Sequence, residues 1–253
     1  MSRIGLRTAA LGYLAALVLV PVGMVFYRAF EHGFAAAWEA VTTPQAQHAF
    51  YLTVLIAAIA VPANAVFGVI AAILLARRDF PGKRLLNALI DLPFAVSPIV
   101  VGLALILVWG RDGWFAMTGV IFSLPGMVLA TIFISLPFVV REVVPVLEEE
   151  GNEQELAAST LGAWQVFRRI TLPTIRWGLA YGIVLSSARA LGEFGAVSAV
   201  SGRISGRTET MTLYVEDRFQ SFDLTGAFAA SVVLALLAMA VLATMLLLQR
   251  RTA

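Results

Sequence analysis

The sequence has 253 residues and contains no cysteine, only two histidines and few charged side chains. Without cysteine the chain forms no disulfide, holds no iron–sulfur cluster and performs no thiol catalysis. His32 and His48 fall in the first predicted outer loop rather than in a span. Solvated loop histidines are the better interpretation of such positions than a metal site. We therefore expect no metal site and no cofactor.

Catalytic motifs are also lacking. The only Gly-Lys pair is Gly82-Lys83, and the first glycine that the phosphate-binding pattern GxxxxGK[ST] requires is replaced by Arg77. The chain therefore has no nucleotide-binding loop of its own. Asp91 is a lone aspartate at the end of an apolar run, and no apolar run contains histidine, so an intramembrane protease is disfavoured. We predict that the protein is not itself an enzyme.

Apolar residues dominate the composition. They make up 60% of the chain, against 13% charged residues, and a soluble core cannot hide so much apolar surface under so few charges. The composition predicts an all-α membrane protein whose residues 1–253 form a single transmembrane domain. A helix needs about 20 apolar residues to cross a bilayer. Six runs are long enough, and we place them at residues 8–29, 51–76, 91–110, 119–140, 177–200 and 225–248.

The net charge is only +2, but the basic residues are unevenly distributed between the two sides. Six spans place twelve of them on one side, namely Arg3, Arg7, Arg77, Arg78, Lys83, Arg84, Arg141, Arg168, Arg169, Arg176, Arg250 and Arg251. Five lie on the other side, namely Arg28, Arg111, Arg203, Arg207 and Arg218. The positive-inside rule then predicts that both termini are cytoplasmic. No nucleic-acid partner is expected.

The polar segment, residues 148–176, is the one long polar interval between the spans. Asn152 followed three residues later by Glu155 predicts a capped helix start, and Gly162 is suited to a left-handed helix end. A second amphipathic run carries Trp164, Phe167 and Ile170 on one side. Pro173 suits the first turn of the next helix. Two interpretations remain open at this point: a hairpin covering the span ends, or a surface that docks into a groove of a partner.

This segment resembles the EAA loop of ABC importer permeases, which docks the membrane subunit onto a separate ATP-hydrolysing subunit. The sequence departs from that motif at Leu156, where the family usually has glutamate, and is two residues shorter between Gly162 and Pro173. The resemblance implies a six-span permease fold and an ATPase-docking surface made of Glu155, Ala157, Ala158, Leu161, Gly162, Ala163, Leu172 and Pro173.

Prolines mark the ends of two spans. Pro93 and Pro98 predict that the span at 91–110 is kinked or interrupted, because proline removes a backbone donor. Arg141 lies between Pro137 and Pro145, and we interpret it as an anchor at the membrane surface.

The fifth span carries both small and charged residues. Gly178, Gly182, Ser186 and Ala190 recur every fourth residue and predict a seam where another helix approaches closely. Arg189 and Glu193 lie beyond the midplane toward the outside. Intramembrane charges are costly and commonly functional. The pair is either a lock between helices or part of a translocation path.

Residues 90–220 resemble more closely the W-type permease subunits of sulfate and thiosulfate ABC importers. The stretches that carry this likeness are LPFVVREVVPVL, ITLPTIRWGLAYGIVLSSARALGEFGAV and the following SAVSGRISGRTETMTLYVE. The resemblance implies an inner-membrane subunit that works with a second, related permease, two copies of an ATP-binding subunit and a periplasmic sulfate-binding protein. A molybdate or tungstate permease, or an ion-coupled anion transporter, is the alternative.

Overall fold

The computed structural model describes residues 3–115 and 119–250, which form helices joined by short turns. The helices are α1 (Arg3–Phe30), α2 (Phe34–Val41), α3 (Pro44–Arg77), α4 (Lys83–Ala95), α5 (Pro98–Trp109), α6 (Leu124–Glu150), α7 (Glu153–Ala157), α8 (Ala163–Val166), α9 (Leu172–Leu191), α10 (Gly195–Val200), α11 (Met211–Gln220) and α12 (Leu224–Arg250). The turn Ser159–Leu161 is a 3₁₀ helix and Phe167–Thr171 is a π helix. The all-α prediction is confirmed.

Four helices in the described ranges are long and apolar enough to cross a membrane by length and composition, or five if a bent pair counts as one span. The four are Leu11–Phe30, Pro44–Arg77, Leu124–Glu150 and Leu224–Thr244. They correspond to the first, second, fourth and sixth predicted spans. α3 also begins before its predicted span, so His48 lies on a helix and is half-buried rather than in a loop.

The bent pair is the third predicted span. α4 and α5 meet at an angle of 117° around Val96 and Ser97, just before Pro98. Pro98 cannot donate a backbone hydrogen bond and occupies the first turn of α5, where that loss is harmless. The predicted interruption is confirmed at Pro98, whereas Pro93 lies inside α4.

The fifth predicted span, residues 177–200, is not one helix. α9 starts earlier, at Leu172, and stops at Leu191, and α10 begins only at Gly195. The break covers Gly192, Glu193 and Phe194. Periodicity did not predict this break, because apolar residues continue on both sides of it.

A tightly packed trio of α3, α6 and α9 forms the centre of the bundle. A Cβ atom on Gly182 would lie 2.9 Å from Val139 Cα, and one on Gly178 would lie 2.6 Å from the Glu142 carbonyl oxygen. On α3, a Cβ on Gly68 would lie 2.6 Å from Cγ1 of the same Val139. The predicted seam is therefore confirmed, and its partner is α6.

The remaining helices surround this trio. α10 packs against α5 and α6, while α1, α2 and α11 pack against α12, which also contacts α9. The two largest apolar clusters of the interior lie around Met127 and Val200 and around Val139, Val143 and Ile175. The second cluster lies at the end of the bundle that carries the polar segment, and residues of that segment pack against it.

Candidate docking surface and buried polar groups

Part of the polar segment belongs to the preceding helix, α6. Its first three residues, Glu148 to Glu150, continue α6, and Gly151 ends that helix with a φ of +66°. α7 begins at Glu153, directly after Asn152, but the Asn152 side chain makes no capping hydrogen bond. The helix start is confirmed, and the predicted side-chain cap is wrong.

Glu155 has a different partner from the one that the capping pattern predicts. Its carboxylate accepts a hydrogen bond from Arg77 Nε at 2.9 Å and another from the Thr171 hydroxyl at 2.8 Å. Arg77 also donates from Nη1 to the Leu147 carbonyl oxygen at 2.6 Å. The Arg77 guanidinium thus ties together the ends of α3 and α6 and the start of the polar segment. Nothing in the local sequence pattern connects Arg77 with Glu155, because the two are 78 positions apart.

The resemblance also assigned small and apolar residues to a docking surface, and most of them are exposed. Ala157, Leu161, Gly162, Ala163 and Pro173 are exposed, whereas Ala158 and Leu172 are half-buried. Leu156, at the position where the family usually has glutamate, is 62% exposed. An exposed leucine on a short helix offers a partner an apolar contact rather than a charged one.

Gly162 separates the two halves of this surface. Its φ is +89°, in the region that favours glycine, and open space surrounds the position where a Cβ would lie. The residue therefore turns the chain between the 3₁₀ turn and α8, where Trp164 stacks on Phe167 with 5.7 Å between ring centroids. Pro173 lies in the first turn of α9, as predicted.

Arg141 is more than an interfacial anchor. Its Nε donates to Asp91 Oδ1 at 2.7 Å, its Nη2 also reaches the other Asp91 oxygen, and Nη2 donates to Asn87 Oδ1 at 3.0 Å. Asp91 pairs with Arg141, 50 positions further along the chain, which gives this aspartate a partner that the local sequence did not indicate. This pair fastens α4 to α6.

Arg189 and Glu193 form the predicted ion pair. Arg189 lies in the last turn of α9, and Glu193 lies in the break that follows. The Glu193 side chain is 1% exposed and also accepts the Ala196 N–H at 2.9 Å, which secures the start of α10. The Arg189 side chain keeps 28% exposure. The carboxylate therefore holds the helix break together, and the guanidinium remains reachable.

A small polar cavity lies beside this pair. Thr53, Thr131 and Thr210 line it with Glu193, and its volume is about 10 Å³. That is only about the space of a single water molecule. Sulfate-sized anions do not fit there, so the region next to Glu193 is closed in this conformation.

A family comparison decides between the classes of transporter left open above. Residues 64–253 match the family described as the binding-protein-dependent transport system inner membrane component. The chain belongs to this family. Membership favours an ABC importer permease over an ion-coupled secondary transporter.

Two relatives of the permease indicate how close the similarity is. The "Sulfate transport system permease protein CysW" of Synechocystis is 51% identical over 251 residues, covering 96% of this chain and 91% of the relative. The "Sulfate transport system permease protein CysT" of Escherichia coli K12 is 42% identical over 232 residues, covering 88% and 84%.

A solved structure has the same fold as the permease. A bacterial ABC transporter involved in the import of the acidic polysaccharide alginate superposes with a TM-score of 0.80 at 15% identity, covering 98% of this chain and 94% of that one. At this identity the likeness concerns the fold alone. It establishes the all-helical ABC importer permease architecture.

One buried polar group in the permease escaped sequence analysis. Asn64 on α3 is fully buried and donates from Nδ2 to Ser135 Oγ on α6 at 2.7 Å and to Ser186 Oγ on α9 at 3.4 Å. It therefore links all three central helices. The available signal was an asparagine inside an apolar run, since a polar side chain at membrane depth requires a partner.

Proposed function

We propose that this permease is a membrane-spanning subunit of an ATP-driven importer of sulfate and thiosulfate, located in the inner membrane. The observation that carries the proposal is the 51% identity with a sulfate transport system permease over 96% of the chain. At that level, and with both chains matched nearly end to end, the W-type resemblance extends well beyond the polar segment. The chain has no GxxxxGK[ST] nucleotide-binding loop, which supports the proposal that a partner subunit hydrolyses ATP.

The proposed assembly has two related permeases, two ATP-binding subunits and a periplasmic sulfate-binding protein. Similarity to both a CysW and a CysT protein supports the pair of permeases, because two related chains with sulfate transport names resemble this one. Both termini are proposed to be cytoplasmic, on the charge distribution described above. Residues 1–253 then act as one transmembrane domain, whose polar segment faces the ATPase.

The proposed coupling runs from the docking surface through Arg77. Ala157, Leu161, Gly162 and Ala163 present an exposed face, and Glu155 connects α7 to Arg77. Because Arg77 also holds the Leu147 carbonyl, movement of a docked ATPase reaches α3 and α6 through one guanidinium. The segment also continues directly into α9, which carries Arg189 in its last turn. In this mechanism, reorientation of α3, α6 and α9 opens the path alternately to the two sides of the membrane.

Within this mechanism Arg189 is the residue proposed to meet the anion. Its charge attracts an oxyanion in a low-dielectric path, and its side chain is partly exposed. Glu193 is buried and would repel the anion, so its proposed role is to position Arg189 and the break between α9 and α10.

Arg189→Ala should abolish sulfate uptake and leave assembly with the partner subunits intact. Because this change leaves the Glu193 carboxylate buried and unpaired, the double variant Arg189→Ala with Glu193→Gln is the matched control for misfolding. Uptake and co-purification of the complex are measured together. Loss of assembly in both variants would favour a purely structural pair.

Uptake of labelled sulfate tests the function as a whole. Right-side-out vesicles with trapped ATP carry the native complex, and thiosulfate and molybdate are added as competitors together with the binding protein. ATP-dependent sulfate uptake competed by thiosulfate is the expected result. Uptake of molybdate but not of sulfate would show that the protein is a molybdate permease. Absence of any ATP-dependent uptake would contradict the assignment of the polar segment as an ATPase-docking surface.

A further inference from the structure

A cavity of about 660 Å³ lies between α3 and the polar segment, away from the Arg189 region. Its volume is in the range of sites that hold a small organic molecule. All of its lining side chains are apolar, and among them are Val66, Ile70, Ile73, Trp164, Phe167 and Leu179. Such a lining excludes a hydrated anion, because an unpaired charge there would lose its hydration without compensation.

The depth of the cavity is set by α3. Ala65 and Ile73 lie twelve and four residues before Arg77, the last residue of that helix. At 1.5 Å per residue the cavity therefore extends from about 6 to about 18 Å below the basic end of α3. One leaflet of a bilayer core is about 15 Å thick. The cavity thus lies at the depth of the acyl chains of one leaflet.

The surface beside the cavity carries unpaired positive charge. Arg168 and Arg169 follow Phe167, which lines the cavity, and both are exposed. Neither forms an ion pair with any other residue in 3–115 or 119–250. Trp164, which is 70% exposed, lies at the same end, where an aromatic ring with a polar N–H suits the headgroup level of a membrane. An apolar cavity and a basic rim together match an amphiphile with an anionic head.

We propose that this cavity binds an anionic phospholipid, with an acyl chain between α3 and α8 and the phosphate on Arg168 and Arg169. Apolar area favours the chain, and charge complementarity selects the headgroup. The bound lipid touches Ala163 and Trp164 in the polar segment and Val66 and Ile70 on α3, so it fills the gap beneath the proposed docking surface. Lipid binding in this cavity requires neither the transported anion nor a particular ATPase.

The test uses the absence of cysteine from the chain, which makes one introduced thiol the only labelling site in this subunit. Val66→Cys is labelled with a benzophenone maleimide in the full complex in native membranes, illuminated, and analysed by mass spectrometry. The matched control is Val18→Cys on α1, since both side chains are more than half exposed and Val18 lies outside this cavity.

Lipid adducts at position 66 should be richer in anionic phospholipid than those at position 18, by about fivefold for each basic side chain engaged. In a second variant that also carries Arg168→Gln and Arg169→Gln, this enrichment should fall to the level of the control. Adducts with a peptide of a partner subunit at position 66, or equal lipid composition at both positions, would overturn the proposal. Enrichment that survives loss of both arginines would overturn the assignment of the headgroup.

Discussion

At the scale of single residues, the side chains that organise this permease are polar groups with partners far away in the sequence. Arg77 reaches Glu155, Asn64 reaches Ser135 and Ser186, and Arg141 reaches Asp91. Each pair connects two helices, or a helix and the polar segment. Asn64 is fully buried, whereas the side chains of Arg141 and Asp91 keep 35% and 40% exposure, so water competes least for the hydrogen bonds of Asn64. Loss of one partner is therefore costly, because the other is left without compensation.

Glu155→Gln should weaken the attachment of α7 to α3. The amide keeps an oxygen for Thr171 but loses the charge that Arg77 binds, and a charge-assisted hydrogen bond contributes about 1.5 to 3 kcal/mol. Thermal unfolding in detergent and ATP-driven uptake should both decrease. Glu153→Gln is the control, because Glu153 is an exposed carboxylate in the same helix. Equal effects of the two changes would refute a special role for the Arg77 contact.

Glu209 should make the stability of the permease depend on pH. Burial raises the pKa of this carboxyl above its ordinary value of 4.5, and Asp217 raises it further, while a hydrogen bond from Ser205 and the charges of Arg218 and His48 oppose the shift. The folded state therefore binds the proton more tightly than the unfolded state. This contribution to stability is fully present below pH 4.5 and is lost as pH rises through the pKa of the folded protein.

Glu209→Gln should remove this loss, so the unfolding temperature at neutral pH should rise relative to wild type by an amount on the order of a few degrees. The two proteins are compared by thermal unfolding from pH 4 to pH 8. Parallel curves across that range would show that Glu209 does not titrate there. Glu216→Gln is the control, since that half-buried carboxylate is paired with Arg203.

At the scale of elements, the close approach of α9 to α6 depends on small residues in α9. Gly178 and Gly182 face the α6 backbone with no room for a side chain, and Ser186 contacts Asn64. Without a hydrophobic driving force between helices in lipid, such contact supplies much of the association. The break at Gly192 to Phe194 ends α9. Within it, the Glu193 carboxylate accepts the Ala196 N–H and so secures the start of α10.

Gly182→Val should force α9 away from α6, because its Cβ would lie 2.9 Å from the Val139 Cα atom and backbone cannot give way as a side chain can. Overpacking of this kind costs about 1 to 3 kcal/mol. The measurement is the unfolding midpoint in detergent. Gly12→Val on α1 is the control, since nothing lies within 4 Å of a Cβ there. A similar loss in both variants would indicate a general effect of valine rather than a seam.

At the scale of the whole molecule, the proposed coupling joins the exposed docking surface to the break between α9 and α10. The two lie at opposite ends of α9. The polar segment lies at one end of α9 and Arg189 at the other. At 1.5 Å per residue, the 17 positions from Leu172 to Arg189 span about 25 Å. A rigid helix of that length transmits a displacement at its base to its far end.

Gly162→Trp should abolish ATP-driven uptake by blocking ATPase docking. Gly33→Trp is a closely matched control, because Gly33 has a φ of +90°, Gly162 has a φ of +89°, and both have open space around them. The backbone strain is therefore comparable, and only the location differs. Uptake and vanadate-sensitive ATPase activity are measured in the same vesicles. Normal uptake with Gly162→Trp, or equal losses in both variants, would contradict the docking surface.

Composition and local pattern were sufficient to predict the membrane class, the all-α architecture, the interruption near Pro98 and the small-residue seam. Each of these follows from an average property or from a spacing of a few residues. The ion pair of Arg189 and Glu193 could also be predicted from the sequence, because the two residues are four positions apart. A glycine turn at position 162 was also predictable, since turn chemistry is local. The predicted left-handed helix end is wrong, because α7 ends at Ala157 and Gly162, with a φ of +89° and a ψ of 148°, precedes α8.

Tertiary structure alone decided the partners of Arg77, Asn64 and Arg141, the break after Leu191, and the cavity beside Trp164. These contacts join residues 50 to more than 100 positions apart, as with Asp91 and Arg141 or Asn64 and Ser186. A local pattern contains no information about which distant side chain will satisfy a buried polar group. Glu155 shows the reason: its charge-assisted hydrogen bond comes from Arg77, a half-buried cation 78 positions away that no local pattern specifies.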